Sequence, residues 1–131
     1  MLGIGQASYV MARLLGLRFS VVTSLPVSIP VIDENIARSG FDGLCASVRA
    51  SGLPVLTIDR GAPETVTRIA AEIEAARTED GAGCVILGCA GMAPLTPALA
   101  RQTKIPLIDG VAASALLARA AAGFLGGASI R

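Results

Sequence analysis

The sequence predicts an α/β fold in which helices cover both faces of a parallel sheet. Short apolar strands alternate with longer helical segments along the chain, as they do in repeated β-α-β units. The predicted strands are apolar on both faces, which is typical of strands buried between two helical layers. Only 3% of the residues are aromatic while 53% are hydrophobic, so small aliphatic side chains must build the core.

The strongest signals in the first half are a helix with an apolar stripe, which Gly16 ends, and the buried strand that follows it. The segment 54–58 is apolar, but its pattern leaves its type open. The predicted elements of this half are, in order, a helix over Gly5–Leu15, a strand over Arg18–Thr23, a loop over Ser24–Pro30, a helix over Ile32–Arg38 and a strand over Gly43–Val48.

The clearest helix opens the second half. Pro63 suits its first position, and Glu64 is favourable at the positive end of the helix dipole. The predicted elements are a helix over Pro63–Thr78, a strand over Gly83–Gly88, a short helix over Pro94–Gln102, a strand over Ile105–Ile108, a helix over Gly110–Ala122 and a fraying tail over Gly123–Arg131.

Length and charge limit the classes of protein that fit. A chain of 131 residues can bury one core, so residues 1–131 are expected to form a single domain. The net charge is +1 and no basic block occurs, which argues against a nucleic-acid partner. Gly, Pro or Arg interrupts each apolar stretch before it reaches the length of a membrane span, and the first residues do not resemble a secretion signal. We therefore expect a cytoplasmic protein without a membrane partner.

The chain contains no histidine, which excludes Ser-His-Asp and Cys-His arrangements within it. An acid or base must then be Cys, Asp, Glu, Lys or Tyr. Its three cysteines, Cys45, Cys84 and Cys89, contain no C-x-x-C pair and fit neither a structural zinc site nor a disulfide framework. We expect no metal site.

The run Val85–Met92 is the most informative segment of the chain. An apolar strand ends there in the Cys89 thiol, which two small residues follow. Ligands of open α/β sheets collect at the carboxyl ends of the strands, and a thiol near free backbone N–H groups can become reactive. The alternative is a packed thiol, because free cysteine is among the most buried residue types.

The other two cysteines are expected to be inert. Cys84 lies five positions before Cys89, and an odd spacing in a strand sends two side chains to opposite faces. Cys84 is therefore predicted to be a core residue at the start of the strand. Cys45 is predicted to be a core or surface residue rather than a reactive one.

Two further polar positions each allow two interpretations. Thr23 and Ser24 end the first strand, where their hydroxyls can bind an anionic or amide ligand or cap the next helix. Asp109 lies between the last strand and the last helix, where it can cap that helix or face the ligand edge near Cys89.

Four ordered blocks of this sequence, Phe19–Thr23, Cys45–Ala50, Val85–Met92 and Ile105–Ala113, resemble the hydantoin and allantoin racemases of the aspartate/glutamate racemase superfamily. The resemblance runs over nearly the whole chain, and the block around Cys89 is its most specific part. It implies one domain of a two-domain α/β fold in which each domain contributes one cysteine to a cleft between them.

The resemblance implies racemisation without a cofactor. One thiolate removes the proton from the chiral carbon of a hydantoin, of allantoin or of an amino-acid-derived compound, and the opposite thiol returns a proton to the other face. Cys89 matches the second of these cysteines, and Thr23 and Ser24 match a substrate-binding hydroxyl position. Ala90, Gly91 and Met92 match the loop whose backbone N–H groups face the substrate.

The resemblance also implies that half of the family's length is absent. The chain matches the second half of the family, and neither Cys45 nor Cys84 lies in a context like that of the first catalytic cysteine. Three possibilities are open: an inactive fragment, association with a separate first-half chain, or a homo-oligomer in which two Cys89 residues share one cleft. An unfilled domain interface would expose apolar surface.

Two rival functions are open at this point. The chain can be a non-catalytic ligand-binding or assembly domain that retains the fold. It can also be a thiol redox sensor, although no resolving cysteine is expected at the same edge of the sheet.

Overall fold

A computed structural model describes residues 4–129 and contains a four-stranded parallel sheet in the order β2-β1-β3-β4. The fold class is the predicted one, with helices on both faces of the sheet. The strands are β1 (Phe19–Thr23), β2 (Cys45–Ala50), β3 (Cys84–Leu87) and β4 (Leu107–Asp109). The helices are α1 (Ile4–Leu15), α2 (Ile29–Arg38), α3 (Val55–Arg60), α4 (Pro63–Glu79), α5 (Thr96–Gln102) and α6 (Gly110–Ser129), with short 3-10 helices over Pro26–Ser28, Asp42–Leu44 and Ala90–Leu95.

The sheet separates two apolar cores, because alternate strand residues point to opposite faces. On one face Val22, Val85 and Leu87 pack with residues of α3, α4 and α5. On the other, Val21 and Ile86 pack with residues of α1, α2 and α6. We call these the α4-side core and the α1-side core.

The structure corrects the bounds of two predicted helices and assigns the segment that was left open. Helix α2 begins at Ile29, three residues before the predicted start, because the 3-10 turn over Pro26–Ser28 leads into it and Pro30 suits its first turn. In the open segment, Pro54 is the N-cap of helix α3 and residues 55–58 lie in that helix, which the left-handed Gly61 ends at φ 63°. Helix α6 continues through the predicted tail to Ser129, and residues 130–131 lie outside the described residues.

The strand register brings three predicted site positions to one edge. Leu87 at the end of β3 lies opposite Val22 in β1 and opposite Asp109 in β4. Thr23, Cys89 and Asp109 therefore all follow or end strands at the carboxyl edge of the sheet, where ligands of such folds collect. No helix within residues 4–129 is long and apolar enough to cross a membrane.

A charged network holds the edge strand β2 on helix α4. The Arg49 guanidinium donates to Glu72 at 2.8 Å and to Asp80 at 2.7 Å, and Ser47 also donates to Asp80 at 2.7 Å. Burial on its own would raise the pKa of Glu72 and of Asp80. The hydrogen bonds from Arg49, together with those from Arg68 to Glu72 and from Ser47 to Asp80, outweigh it and lower the pKa of both carboxyls.

We expect Arg49→Met to lower the free energy of unfolding at pH 7 by about 1–3 kcal/mol, because it removes two hydrogen bonds between charged groups. The two lowered carboxyl pKa values contribute stability above the ordinary carboxyl range near about 4, and this contribution is lost as pH falls through the folded-state values. Urea unfolding at a series of acidic pH values should therefore show a shallower pH dependence in the variant.

Arg38→Met is the control, because Arg38 and its partner Glu34 are both largely exposed. Its unfolding curve should match that of the unaltered chain. Equal pH dependence of the Arg49 variant and the unaltered chain would contradict the role given to the network.

Candidate active site

Gly88 allows the chain to leave β3 close against β1. Its N–H donates to the Val22 carbonyl at 2.8 Å, which extends the strand pairing by one residue. A Cβ at this position would lie 2.7 Å from Val21 Cγ1 and 3.1 Å from the Val22 oxygen. Only glycine fits there without displacement, and it delivers the next residue, Cys89, in an extended conformation at the start of the Ala90–Leu95 turn.

Cys89 is half-buried and lines two cavities. The first cavity has a volume of about 280 Å³ and lies among α1, α2 and the ends of β3 and β4. The second has a volume of about 410 Å³ and lies beside the loop between β1 and α2. Gly88, Val31 and Ile32 also line both. Cys89 is thus a residue that the two cavities share.

The first cavity is lined by a few polar side chains among mostly apolar residues. Tyr9 donates its hydroxyl hydrogen to Asn35 Oδ1 at 2.9 Å, and its ring stacks on Phe19 with centroids 5.3 Å apart. Asp109 accepts the Val111 N–H at 2.8 Å, so it caps helix α6. Asp109 also lines this cavity with Cys89, and both interpretations of Asp109 therefore hold.

The second cavity carries hydroxyls. Thr23 and Ser24 line it, and their carbonyls accept the backbone N–H groups of Ser51 and Gly52 at 2.8 Å. Neither hydroxyl has a hydrogen-bond partner within residues 4–129, and no side chain caps the Pro26–Ser28 turn or helix α2. The helix-capping alternative for these hydroxyls is wrong, which leaves both free to face a ligand.

The loop after Cys89 has fewer free backbone N–H groups than the sequence predicts. Ala90 lines the first cavity, and neither Ala90 nor Gly91 donates its N–H to a backbone acceptor in the described part of the chain. Met92 donates its N–H to the Cys89 carbonyl at 2.9 Å and buries its side chain in the α4-side core. The expectation that the Met92 N–H faces the substrate therefore needs correction, because this N–H donates to the Cys89 carbonyl within the 3-10 turn.

The other two cysteines lie away from both cavities. Cys84 is fully buried in the α1-side core, on the face of the sheet opposite Cys89, as the odd spacing predicts. Burial raises the pKa of the Cys84 thiol to about 11. Burial, followed by the Asp33 charge, also raises the pKa of Cys45. Among the described residues, Cys89 is thus the one thiol at the candidate site, and no three His, Cys, Asp or Glu side chains converge as a metal site would require.

Sequence reasoning missed Tyr9 and Asn35. They lie on α1 and α2, far from Cys89 along the chain, and each occupies an ordinary position in a helical pattern. No local signal marks them, because only the packing of both helices over the strand ends brings them to the thiol. Gly88 was visible as a strand end, but its close approach to β1 was not.

The sequence is similar to known racemases. A family model described as Asp/Glu/Hydantoin racemase matches residues 1–118. The chain is 41% identical to a hydantoin racemase of Rhizobium meliloti over 122 residues, which are 93% of this chain and 51% of that protein. It is 33% identical to a hydantoin racemase of Pseudomonas sp. (strain NS671) over 111 residues, which are 85% and 45% of the two chains.

The fold is similar to that of two solved allantoin racemases. The enzyme from Pseudomonas fluorescens superposes with a TM-score of 0.86 at 36% identity, over 94% of this chain and 52% of that one. The enzyme from Klebsiella pneumoniae superposes with a TM-score of 0.84 at 35% identity, over 95% and 51%. The chain thus spans about half the length of the relatives it matches.

Proposed function

Because this chain belongs to the Asp/Glu/hydantoin racemase family, we propose that it exchanges the proton at the chiral carbon of a hydantoin-like, allantoin-like or amino-acid-derived substrate through Cys89. The resemblance found in the four sequence blocks is confirmed by that membership. The observation that carries the proposal is that the half-buried Cys89 lines two cavities at the carboxyl edge of the sheet.

In the proposed reaction the Cys89 thiolate forms an S–H bond as the substrate C–H bond breaks. The electron pair of that bond moves into the neighbouring carbonyl and leaves negative charge on its oxygen. We propose that the Ala90 and Gly91 N–H groups and the Thr23 and Ser24 hydroxyls stabilise that charge. Ala90 lines the first cavity, and Thr23 and Ser24 line the second. Return of the proton restores the carbon, and no step consumes a metal or an organic cofactor.

Inversion requires a second proton donor on the opposite face of the substrate carbon. Cys45 and Cys84 line neither cavity, so no second thiol of the described residues is positioned to be this donor. We propose that residues 1–131 act as one domain, equivalent to the second half of the longer relatives, and that a first-half segment or a second copy supplies the donor. Exposed Val27, Val31 and Val55 line the second cavity and suit an apolar contact there.

The proposed chemistry also favours one cellular compartment. A catalytic thiol has to stay reduced, and the cytoplasm keeps thiols reduced. We therefore propose that the protein acts in the cytoplasm.

The test is deuterium wash-in on separate enantiomers of a 5-substituted hydantoin and of allantoin, followed by mass spectrometry and chiral chromatography. A single thiol reaches one face, so we expect exchange of one enantiomer with retention of configuration above the rate in buffer. Inversion should appear only when a second donor is supplied. A rate equal to that in buffer for both enantiomers of every substrate would overturn the proposal and favour a non-catalytic ligand-binding domain.

A further inference from the structure

Two polar side chains that line the first cavity each have an unused hydrogen-bonding group, a donor on one and an acceptor on the other. Asn35 uses its Oδ1 to accept the Tyr9 hydroxyl, and its amide NH2 group donates to no residue in the range 4–129. Asp109 uses Oδ1 to accept the Val111 N–H, and its Oδ2 has no hydrogen-bond or ion-pair partner in the same range. The cavity therefore offers an N–H donor from one residue and a carboxylate acceptor from the other.

The two groups reach the cavity from different elements. Asn35 lies on α2, which packs towards β2, whereas Asp109 ends β4 at the opposite edge of the sheet. Apolar residues, including Val21 and Ile86, line the same cavity. A ligand that satisfies both groups presents an acceptor to Asn35 and an N–H to Asp109 within this small cavity.

A urea unit within a ring or side chain meets this description, because its C=O and N–H groups lie in one plane on different edges. The volume of about 280 Å³ is at the lower end of the range for small-ligand pockets. Cys89 lines the same cavity, so a ureide bound there is held beside that residue.

We infer that Asn35 and Asp109 are specificity-determining residues that bind the urea unit of the substrate, with Asn35 donating to its carbonyl and Asp109 accepting its N–H. This inference rests on the proposed function, because it names the groups that hold the substrate for Cys89. It separates substrates that carry a urea unit from amino-acid substrates that lack one.

Two substitutions reverse the polarity of each group and keep its structural contact. Asp109→Asn retains an oxygen to cap α6, since Asn is also a good N-cap residue, but replaces the free acceptor with a donor. Asn35→Asp retains an oxygen for the Tyr9 hydroxyl, but replaces the donor with an acceptor. Asp42→Asn is the matched control, because Asp42 is exposed in a turn before β2 and lines neither cavity.

The probe is unsubstituted hydantoin, which carries the urea unit but has no chiral carbon, so that its affinity reports binding without racemisation. We expect NMR titration to give roughly tenfold weaker binding for each polarity-reversing variant and unchanged binding for Asp42→Asn. Thermal unfolding should show that all three variants remain folded.

Equal hydantoin affinity in the unaltered chain and in both variants would overturn the inference, as would the absence of hydantoin binding to the unaltered chain. Failure of the proposed function has a different signature. In that case hydantoin binds and the variants weaken it, but no deuterium enters a chiral substrate.

Discussion

Cys89→Ser is expected to reduce deuterium wash-in to the rate measured in buffer. A serine hydroxyl has nearly the size of the thiol but is a far weaker acid, so it supplies almost no anion near neutral pH. Loss of a positioned general base commonly costs about 10²–10⁴-fold in rate. The measurement is the initial rate of mass increase of the reactive enantiomer.

Cys45→Ser is the matched control for that substitution. Cys45 is half-buried like Cys89 but lines neither cavity, so its variant should exchange substrate at the unaltered rate. Both variants should give the circular dichroism spectrum and the unfolding transition of the unaltered chain. Unchanged exchange in Cys89→Ser, or an equal loss in Cys45→Ser, would remove Cys89 from the proposed mechanism.

Gly88→Ala is expected to damage both stability and the site. The added Cβ would lie 3.1 Å from the Val22 backbone oxygen and 2.7 Å from Val21 Cγ1, and the backbone oxygen cannot rotate away. Overpacking of this kind typically costs about 1–3 kcal/mol in the free energy of unfolding. Relief of the contact moves β3 away from β1 and shifts Cys89, so wash-in should fall even under conditions where the variant is folded.

Gly43→Ala provides the control for this glycine. A Cβ at Gly43 meets nothing within 4 Å, so its urea unfolding midpoint and wash-in rate should stay close to those of the unaltered chain. If Gly88→Ala unfolds at the same urea concentration as the unaltered chain and retains its exchange rate, the close packing of β3 on β1 does not position the thiol.

Local signals predicted most of the elements. The stripe that begins at Pro63 marked helix α4, and the apolar runs before Thr23 and Cys89 marked β1 and β3. Boundaries that depend on tertiary contacts were less visible. The six residues of α3 are too few to show a periodic pattern, and the glycines after Ala122 weakened the prediction of a helix that continues to Ser129.

The features of the candidate site also fall into those that local sequence signals predicted and those that they did not. The position of Cys89 at a strand end and the opposite orientation of Cys84 follow from the period of a β-strand, which is a local property. Met92 shows the limit of that reasoning. Its place in the loop block suggested a substrate-facing N–H, but the 3-10 turn directs that N–H to the Cys89 carbonyl and buries the side chain.

The sequence by itself determined the α/β class with its parallel sheet, the alternation of strands and helices along the chain, and the cysteine at the strand end. Each of these depends on periodicity or on residues adjacent in the chain. Only the tertiary structure decided that Cys89 lines two cavities and that Asn35 and Asp109 line one of them. It also decided that the Thr23 and Ser24 hydroxyls find no hydrogen-bond partner among residues 4–129. The physical reason is that these features depend on how helices pack over the ends of neighbouring strands, and residues far apart in the chain carry no local mark of that packing.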